Sequence, residues 1–282
     1  MENIYEKVAR LQELGKWEQS FEVIREGLKN IYSDYELYFA LGEYYLQKNI
    51  NQAYLCYENA LLYCSNDKDC EYITKVMEDV YGQGVEVSPV SIVIVSYNSK
   101  DMMQACINSI RLNNIPESYQ LVVIDNASTD GIDEWLENQK DIVLIKNQDN
   151  KGFGAASNQG IKAASPDNDI FLLNNDTIVP PNAIFWLRMG LYENDKTGAT
   201  GCMSNNASGQ NISVQFNTIS DYVRYAVSNN IPEFNPYEKK VWLAGFAMII
   251  RRHVIDQTGL LDLRYGKGYY EDDDIGIRIQ YA

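Results

Sequence analysis

The residues best equipped for chemistry stand in short polar clusters. One is a run of four acids, Glu271-Asp272-Asp273-Asp274, with Arg278 four residues beyond it. The others each follow an apolar run: Ser96-Tyr97-Asn98, then Asp125-Asn126-Ala127-Ser128-Thr129-Asp130-Gly131, then Asn150-Lys151-Gly152-Phe153-Gly154, then Asn174-Asn175-Asp176. Carboxylates accept protons and hydrogen bonds from hydroxyl or base N–H groups, and they suit hard divalent cations. The bland alternative is local structure, because Asn, Asp and Ser also cap helices and turn chains. Thr129-Asp130-Gly131 could simply cap the next helix, and an acidic run suits a helix start. The single histidine, His253, follows Arg251-Arg252 and reads as a surface or capping residue. With one histidine no multi-His metal site is available, and Ser-His-Asp or Cys-His catalysis would have to run through it.

The elements that must position these clusters fall into two halves with different periods. Up to about residue 86, apolar residues recur at three- and four-residue steps, as in Val8, Leu11, Leu14 and Phe21, Ile24, Leu28, so helices are expected. The stretch from Gly15 to Phe21 echoes Lys48 to Tyr54 at an offset of 33, with small residues Ser20, Gly27, Ala53 and Ala60 repeating inside it. That period predicts a tetratricopeptide-type helical repeat, with a generic helical hairpin domain as the competing reading. Gly82-Gln83-Gly84 and Ser88-Pro89 then punctuate the chain, which places a helical domain at 1–86 and a second domain at 90–282. Beyond this boundary, strands are predicted at Ser91–Ser96, Leu121–Ile124, Ile142–Ile145 and Ile170–Leu173. Helices are predicted at Met102–Leu112, Ile132–Asn138 and Ala155–Ala164. Short β-branched runs alternating with helices give an α/β fold with a mostly parallel sheet, preceded by an all-α domain. Four polar clusters at the strand ends then line one cleft, where ligands of such sheets bind.

Composition narrows the function. The formal net charge of −15 makes nucleic acid a poor partner. The five cysteines are scattered and contain no CxxC, which predicts neither a disulfide framework nor a thiolate zinc site and fits a reducing cytosol. Neither G-x-G-x-x-G after the first strand nor G-x-x-x-x-G-K-[ST] occurs, which argues against dinucleotide oxidoreductases and P-loop NTPases. The longest apolar run, Val241 to Ile250, is about half of the roughly 20 residues a spanning helix needs. No signal-peptide pattern opens the chain, so a cytoplasmic protein, at most peripheral at the membrane, is expected. The chain ends inside a helical pattern, which suggests a truncated C-terminus.

The ordered set SIVIVSYN (Ser91–Asn98), VVIDNASTDG (Val122–Gly131), NKGFGAASN (Asn150–Asn158), LLNNDT (Leu172–Thr177), WLAGFAMIIRR (Trp242–Arg252), GLLD (Gly259–Asp262) and EDDDIGIR (Glu271–Arg278) resembles the family 2 glycosyltransferases. The resemblance spans about residues 90–282 and implies the GT-A fold and an inverting transfer of a sugar from a nucleotide-diphosphate sugar. By that analogy Ser96, Tyr97, Asn98, Asp125 and Asn126 hold the nucleoside. Gly152 and Gly154 let backbone approach the ligand or merely turn the chain, and Asn158, Asn174 and Asn175 face the same cleft. Asp176 stands in the family's D-x-D motif as ligand of Mn²⁺ or Mg²⁺, with a helix N-cap as its alternative. Here Asn174 replaces the first acid of that motif, which leaves the strength of metal dependence open. Asp272 is implied as general base and Asp274 as its understudy, with Glu271 beside them. Trp242, Gly245 and Arg278 are placed on the acceptor side, and core packing is the competing reading for the first two. UDP is the expected donor base and dTDP, as in dTDP-rhamnose, the next. The acceptor could be a glycan, a lipid-linked chain or a protein, and the helical repeats could recruit a protein partner. The rival reading is a helical-repeat scaffold carrying a relic sugar-nucleotide domain.

Overall fold

A computed structural model describes residues 3–207, 209–266 and 268–282. The helices in chain order are α1 (Ile4–Glu13), α2 (Trp17–Asn30), α3 (Tyr35–Leu46), α4 (Ile50–Tyr63), α5 (Asp67–Tyr81), α6 (Lys100–Asn113), α7 (Ile132–Glu137), α8 (Phe153–Ala163), α9 (Ala183–Leu191), α10 (Ile219–Asn229), α11 (Arg252–Thr258) and α12 (Glu271–Gln280). The strands are β1 (Val90–Ser96), β2 (Tyr119–Asp125), β3 (Ile142–Lys146), β4 (Asp169–Asn174), β5 (Ala199–Gly201) and β6 (Ala247–Ile250). They form two compact units.

The first unit holds the residues up to Val87 together with Pro180–Asn194 and Asn217–Glu238, two later segments that a single cut near residue 88 does not foresee. Its helices start where short polar side chains can take the orphan N–H groups of a first turn. Asn3, Asp34, Asn49 and Asn66 each do so for α1, α3, α4 and α5. α2 and α4 begin 33 residues apart and are equally long. Ser20, Gly27, Ala53 and Ala60, the small residues of the echo, are all buried. At Gly27 a Cβ would collide with Leu37 Cδ1 and Ile4 Cδ1, so α1, α2 and α3 approach closely only because that side chain is missing. α9 docks on α4 through a largely buried Arg188–Glu58 ion pair and through Gln52 Nε2, which donates to Met189 O at 2.9 Å.

Cysteine usage misled in this unit. Cys64 and Cys70 form a disulfide across the turn between α4 and α5, with Cα atoms 5.8 Å apart. A C-x₅-C spacing carries no framework signature. Within the turn the bond spans, Asn66 caps α5 by accepting the Lys68 N–H. The argument from cysteines to a reducing compartment therefore does not hold for this pair.

The second unit is a six-stranded sheet in the order β3-β2-β1-β4-β6-β5. β1 lies parallel to both β2 and β4, and β2 parallel to β3, while β6 runs antiparallel to β4 and to β5. β1 and β4 are nearly continuous apolar runs because both of their faces are covered. Val93, Val122, Ile124, Ile170, Leu172, Met248 and Ile250 form the heart of one core, which Ala156, Ile161, Leu261 and Ile275 close from the helices and a loop. Gly160 lets α8 lie flat on this sheet, since a Cβ there would strike Val93 and Ile124. Trp242 precedes β6 instead of lying in a strand. Among the described residues no helix is long and apolar enough to cross a membrane.

Candidate active site

Register brings the polar clusters to one edge. Ser96 pairs with Asp125 and Val95 with Asn174, so β1, β2 and β4 end level with one another. β1 has its two sequence-distant partners on opposite sides, which is the topological switch point where open α/β sheets bind ligands.

Asp125 is 2% exposed. Its Oδ1 accepts the Ser128 N–H at 3.1 Å, and Oδ2 has no hydrogen-bond partner among the described residues. Ser96 is fully buried, yet its hydroxyl is also unpartnered. Tyr97 beside it is half-exposed. Asn98 takes a left-handed backbone, φ 51°, and works as a clasp. Its N–H donates to Ser128 Oγ (3.1 Å), and its Oδ1 accepts the Thr129 N–H (2.7 Å). Asp130 caps as the bland reading expected, accepting the N–H groups of Lys100 (2.8 Å) and Ile132 (3.2 Å).

Asn126 is buried and its amide is spent inside the protein. Its Nδ2 donates to Asn150 Oδ1 (2.9 Å), and its Oδ1 accepts from Asn147 Nδ2 (3.0 Å) and the Lys151 N–H (3.1 Å). Asn147 and Gln159 complete this network by exchanging amide hydrogen bonds of 2.8 and 3.0 Å. The sequence reading missed both, although the polar run after β3 was a signal for the first. Gly152 has φ 83° and opens α8, a conformation that favours glycine. Gly154 is different. A Cβ there would meet Leu261, Leu263 and Glu271 at 3.8 to 4.0 Å, which is ordinary contact, so nothing in this geometry demands a glycine for a ligand's approach.

Asn158 does not face the cleft with a free amide. Its Nδ2 donates to Leu261 O (2.8 Å) and its Oδ1 accepts the Leu261 N–H (3.0 Å), so both ends pin the loop before residue 263. Arg278 is likewise engaged within the protein, on the loop at 258–260. It pairs with Asp274 Oδ2 (2.7 Å) and donates to the carbonyls of Thr258 (2.7 Å) and Leu260 (3.0 Å). Asp274 is thereby committed to a cation.

Two consecutive tyrosines in left-handed backbone, Tyr269 (φ 75°) and Tyr270 (φ 74°), lead into α12. Such strain persists only where the surroundings hold it, and it clusters at functional sites. Lys267 of the same loop lies outside the described residues. Glu271 opens α12 only 6% exposed, and its Oε2 has no partner, an unusual state for a buried carboxylate oxygen. Asp272 is held as an acceptor: Gly245 N–H donates to Oδ2 (2.9 Å) and Asp273 N–H to Oδ1 (3.1 Å). Asp273 itself titrates above the usual carboxylate range, through burial first and the Asp272 charge second. A Cβ on Gly245 would stand 3.0 Å from Asp272 Cβ, so this glycine makes the seat of Asp272. Trp242 packs over Gly209 and Gly276. Buried Gln210, unforeseen in the sequence, ties this region together, donating to Cys202 O (2.7 Å) and accepting the Ala244 N–H (2.6 Å).

At the end of β4 the Asn174 backbone is engaged, its N–H with Phe246 O (2.8 Å) and its carbonyl with Thr177 Oγ1 (2.9 Å). Asp176 is exposed, and its carboxylate has no hydrogen-bond partner among the described residues. Asn175 is half-buried beside it. No group of three His, Cys, Asp or Glu side chains among the described residues could hold a metal ion unaided. An open carboxylate such as Asp176 fits an ion whose shell is completed by substrate phosphates, which Mg²⁺ commonly accepts. His253, on α11, is exposed.

This geometry has counterparts. The chain is 30% identical over 103 residues to the poly(ribitol-phosphate) β-glucosyltransferase of Bacillus spizizenii, covering 34% of this chain and 16% of that enzyme. Its fold is shared with Staphylococcus aureus TarS 1–349 in complex with UDP-GlcNAc (TM-score 0.50, 16% identity, 68% of this chain and 53% of that one). GalNAc-T7 with UDP, GalNAc and Mn²⁺ shares it too (TM-score 0.52, 16% identity, 68% and 40%). The chain thus spans well under two thirds of these proteins' own length. The model of glycosyl transferase family 2 matches residues 91–259, more than half of the sequence, and the chain belongs to that family.

Proposed function

We propose that the second unit is an inverting glycosyltransferase domain that moves a sugar from a nucleotide-diphosphate sugar to a hydroxyl acceptor. The observation that carries this reading is the seat of Asp272, whose two oxygens are oriented by backbone N–H groups at the start of a helix entered through two left-handed tyrosines, in a family 2 chain. In the proposed step the acceptor oxygen attacks the anomeric carbon in line. Asp272 removes its proton, the bond to the diphosphate breaks, and the nucleoside diphosphate leaves with the electron pair. A positioned base of this kind is worth about 10²–10⁴ in rate. Asp274 is a weaker candidate, because Arg278 already neutralises it. Asp125, with one oxygen unpartnered, and buried Ser96 are the nucleoside-facing pair, and Tyr97 offers a half-exposed ring for stacking. Glu271, buried and unpartnered, would meet the transferred sugar. Asp176 would hold Mn²⁺ or Mg²⁺ against the phosphates, where a cation neutralises charge developing on the departing diphosphate.

UDP is the first donor to test, since the TarS fragment of like fold was solved with UDP-GlcNAc, and dTDP is the next. A polyol-phosphate polymer is the acceptor class to test first, given the poly(ribitol-phosphate) in the name of the Bacillus relative. For the helical unit, the equal lengths and 33-residue offset of α2 and α4, with buried small residues at matching places, support a tetratricopeptide-type repeat serving recruitment. One observation favours the relic reading: Asn174 stands where the family carries an acid.

Thermal unfolding with UDP, dTDP and GDP, each with and without Mn²⁺, separates the two. A ligand at about 100 times its Kd adds about 2.7 kcal/mol, several degrees in Tm. A metal-dependent rise with one nucleotide, lost in Asp176→Asn, is expected. No rise with any of them supports the relic domain.

A further inference from the structure

We propose that a cavity of the first unit binds a basic peptide segment through its lysine or arginine side chains. The cavity, about 400 Å³, lies among α1, α3 and α5. Tyr5, Tyr35, Phe39 and Tyr72 give it aromatic walls, and Val8 and Ala9 contribute to its lining. Glu36, Glu43 and Asp69 also line it, while no lysine, arginine or histidine does among the described residues. This inference concerns the helical unit alone and does not rest on the transferase reading.

The acids there are not spent on the protein's own cations. Tyr35 donates to one oxygen of Asp69 (2.8 Å) and Tyr57 to one oxygen of Glu43 (2.5 Å), and the second oxygens have no donor among the described residues. Glu36 has no hydrogen-bond or ion-pair partner there at all. Its carboxyl is raised above its ordinary value, by desolvation first and then by the charges of Asp34 and Asp69 nearby. The hydroxyls of Tyr5 and Tyr35 are tied down as donors, to Asp34 and Asp69 at 2.8 Å each, which leaves their rings as the part open to an occupant. Aromatic faces beside carboxylates suit a cation on an aliphatic stem, stacking the stem and pairing the head. An anionic or neutral occupant would desolvate these acids without pairing them. A metal ion is disfavoured, because no three such side chains are grouped to ligate one.

Spacing specifies the segment. Glu36 and Glu43 are seven residues apart on α3, two turns on one face and about 10 Å along the axis. An extended polyproline-II segment repeats its face every three residues, about 9 Å. Basic side chains about three residues apart therefore match the two acids.

Selection of a phage-displayed random dodecapeptide library on the full chain tests this. Enrichment of Lys or Arg pairs about three apart is expected, and its loss on the Glu36→Gln/Glu43→Gln double variant. In fluorescence polarisation the selected peptide should bind at least tenfold more weakly to the double variant and at least threefold more weakly to Tyr72→Ala. Affinity for Glu117→Gln, a variant outside the cavity, should be unchanged. Circular dichroism checks that every variant is folded. Absence of basic enrichment, or the same peptides selected on the double variant, overturns the proposal. Spermidine displacing the peptide at concentrations equal to the peptide's own Kd overturns the commitment to a peptide in favour of a free amine.

Discussion

Asn158→Ala separates a residue that builds the cleft from one that touches its ligand. The side chain is 7% exposed and holds the N–H and the carbonyl of Leu261 at 3.0 and 2.8 Å. Truncation leaves both backbone groups buried without their partner. Each such orphan costs about 1–3 kcal/mol, so about 2–6 kcal/mol is at stake, and about 3 is a working value once water has partly entered the gap. At roughly 2–4 °C per kcal/mol for a chain of this size, Tm should fall by about 6–12 °C. Since the amide is buried and both its ends are turned onto Leu261, the Kd for the nucleotide that binds should change less than about threefold, under about 0.7 kcal/mol. Asn158→Asp sharpens the test. Its carboxylate can still accept the Leu261 N–H, but it can donate to the carbonyl only when protonated, so this variant should gain stability relative to wild type as pH falls. Calorimetry and isothermal titration with the nucleotide give both quantities. A Tm within about 2 °C of wild type together with a tenfold loss of nucleotide affinity would refute the reasoning and return Asn158 to the ligand.

Three further outcomes follow from the same contacts. Asp272→Asn should lose about 10²–10⁴ in turnover while keeping donor affinity, and Asp274→Asn, whose partner is Arg278, should lose less turnover and more stability; equal turnover losses measured by nucleoside-diphosphate release would contradict the assignment of the base. Gly160→Ala should cost up to about 2 kcal/mol despite better helix propensity, because overpacking against Val93 and Ile124 costs about 1–3 and propensity returns about 1; a rise in the urea midpoint would count against it. Glu36→Gln should raise Tm at pH 7, because the folded-state carboxyl titrates above its ordinary 4.5, so its stability contribution is present below that value and lost as pH rises through the folded one; the gain should vanish near pH 4, and a pH-independent gain would point to another cause.

The sheet was legible in the residues because its strands are buried on both faces. SIVIVS and IFLL have one plausible conformation, and the structure extends each predicted strand by no more than three residues at either end. The helical first stretch was legible for the matching reason, periodicity plus Asn or Asp at four of its helix starts. What local reading could not supply was long-range. α9 and α10 belong with the first helices because of contacts such as Gln52 with Met189, 137 residues apart. The Cys64–Cys70 bond depended on a turn, and the direction of the Arg278 guanidinium depended on where the carbonyls at 258–260 came to lie.

The division of labour among the polar residues of the cleft follows from which atoms remain unpaired. An asparagine amide carries a donor and an acceptor, so it can bridge two backbone segments, and buried amides tend to be fully used. Asn126 and Asn158 do this, on the loop after β3 and the loop before residue 263, while exposed Asn98 uses its amide oxygen alone, accepting from Thr129. A carboxylate only accepts, so satisfying it needs several donors; at Glu271 a fully buried oxygen is left over, and at Asp125, itself 2% exposed, Oδ2 has no donor among the described residues. Leaving a buried acceptor unsatisfied costs about 1–3 kcal/mol, more for a charge, which a fold retains only where something else supplies the donor. Sugar and ribose hydroxyls are such donors. On the proposed function, the amides hold the strand-end loops in place and the acids are left to meet the ligand. A paired test states the same logic as an expected result: Asp125→Asn should weaken nucleotide binding with little change in Tm, while Asn126→Ala should lower Tm first, and the reverse order in calorimetry would exchange the two roles.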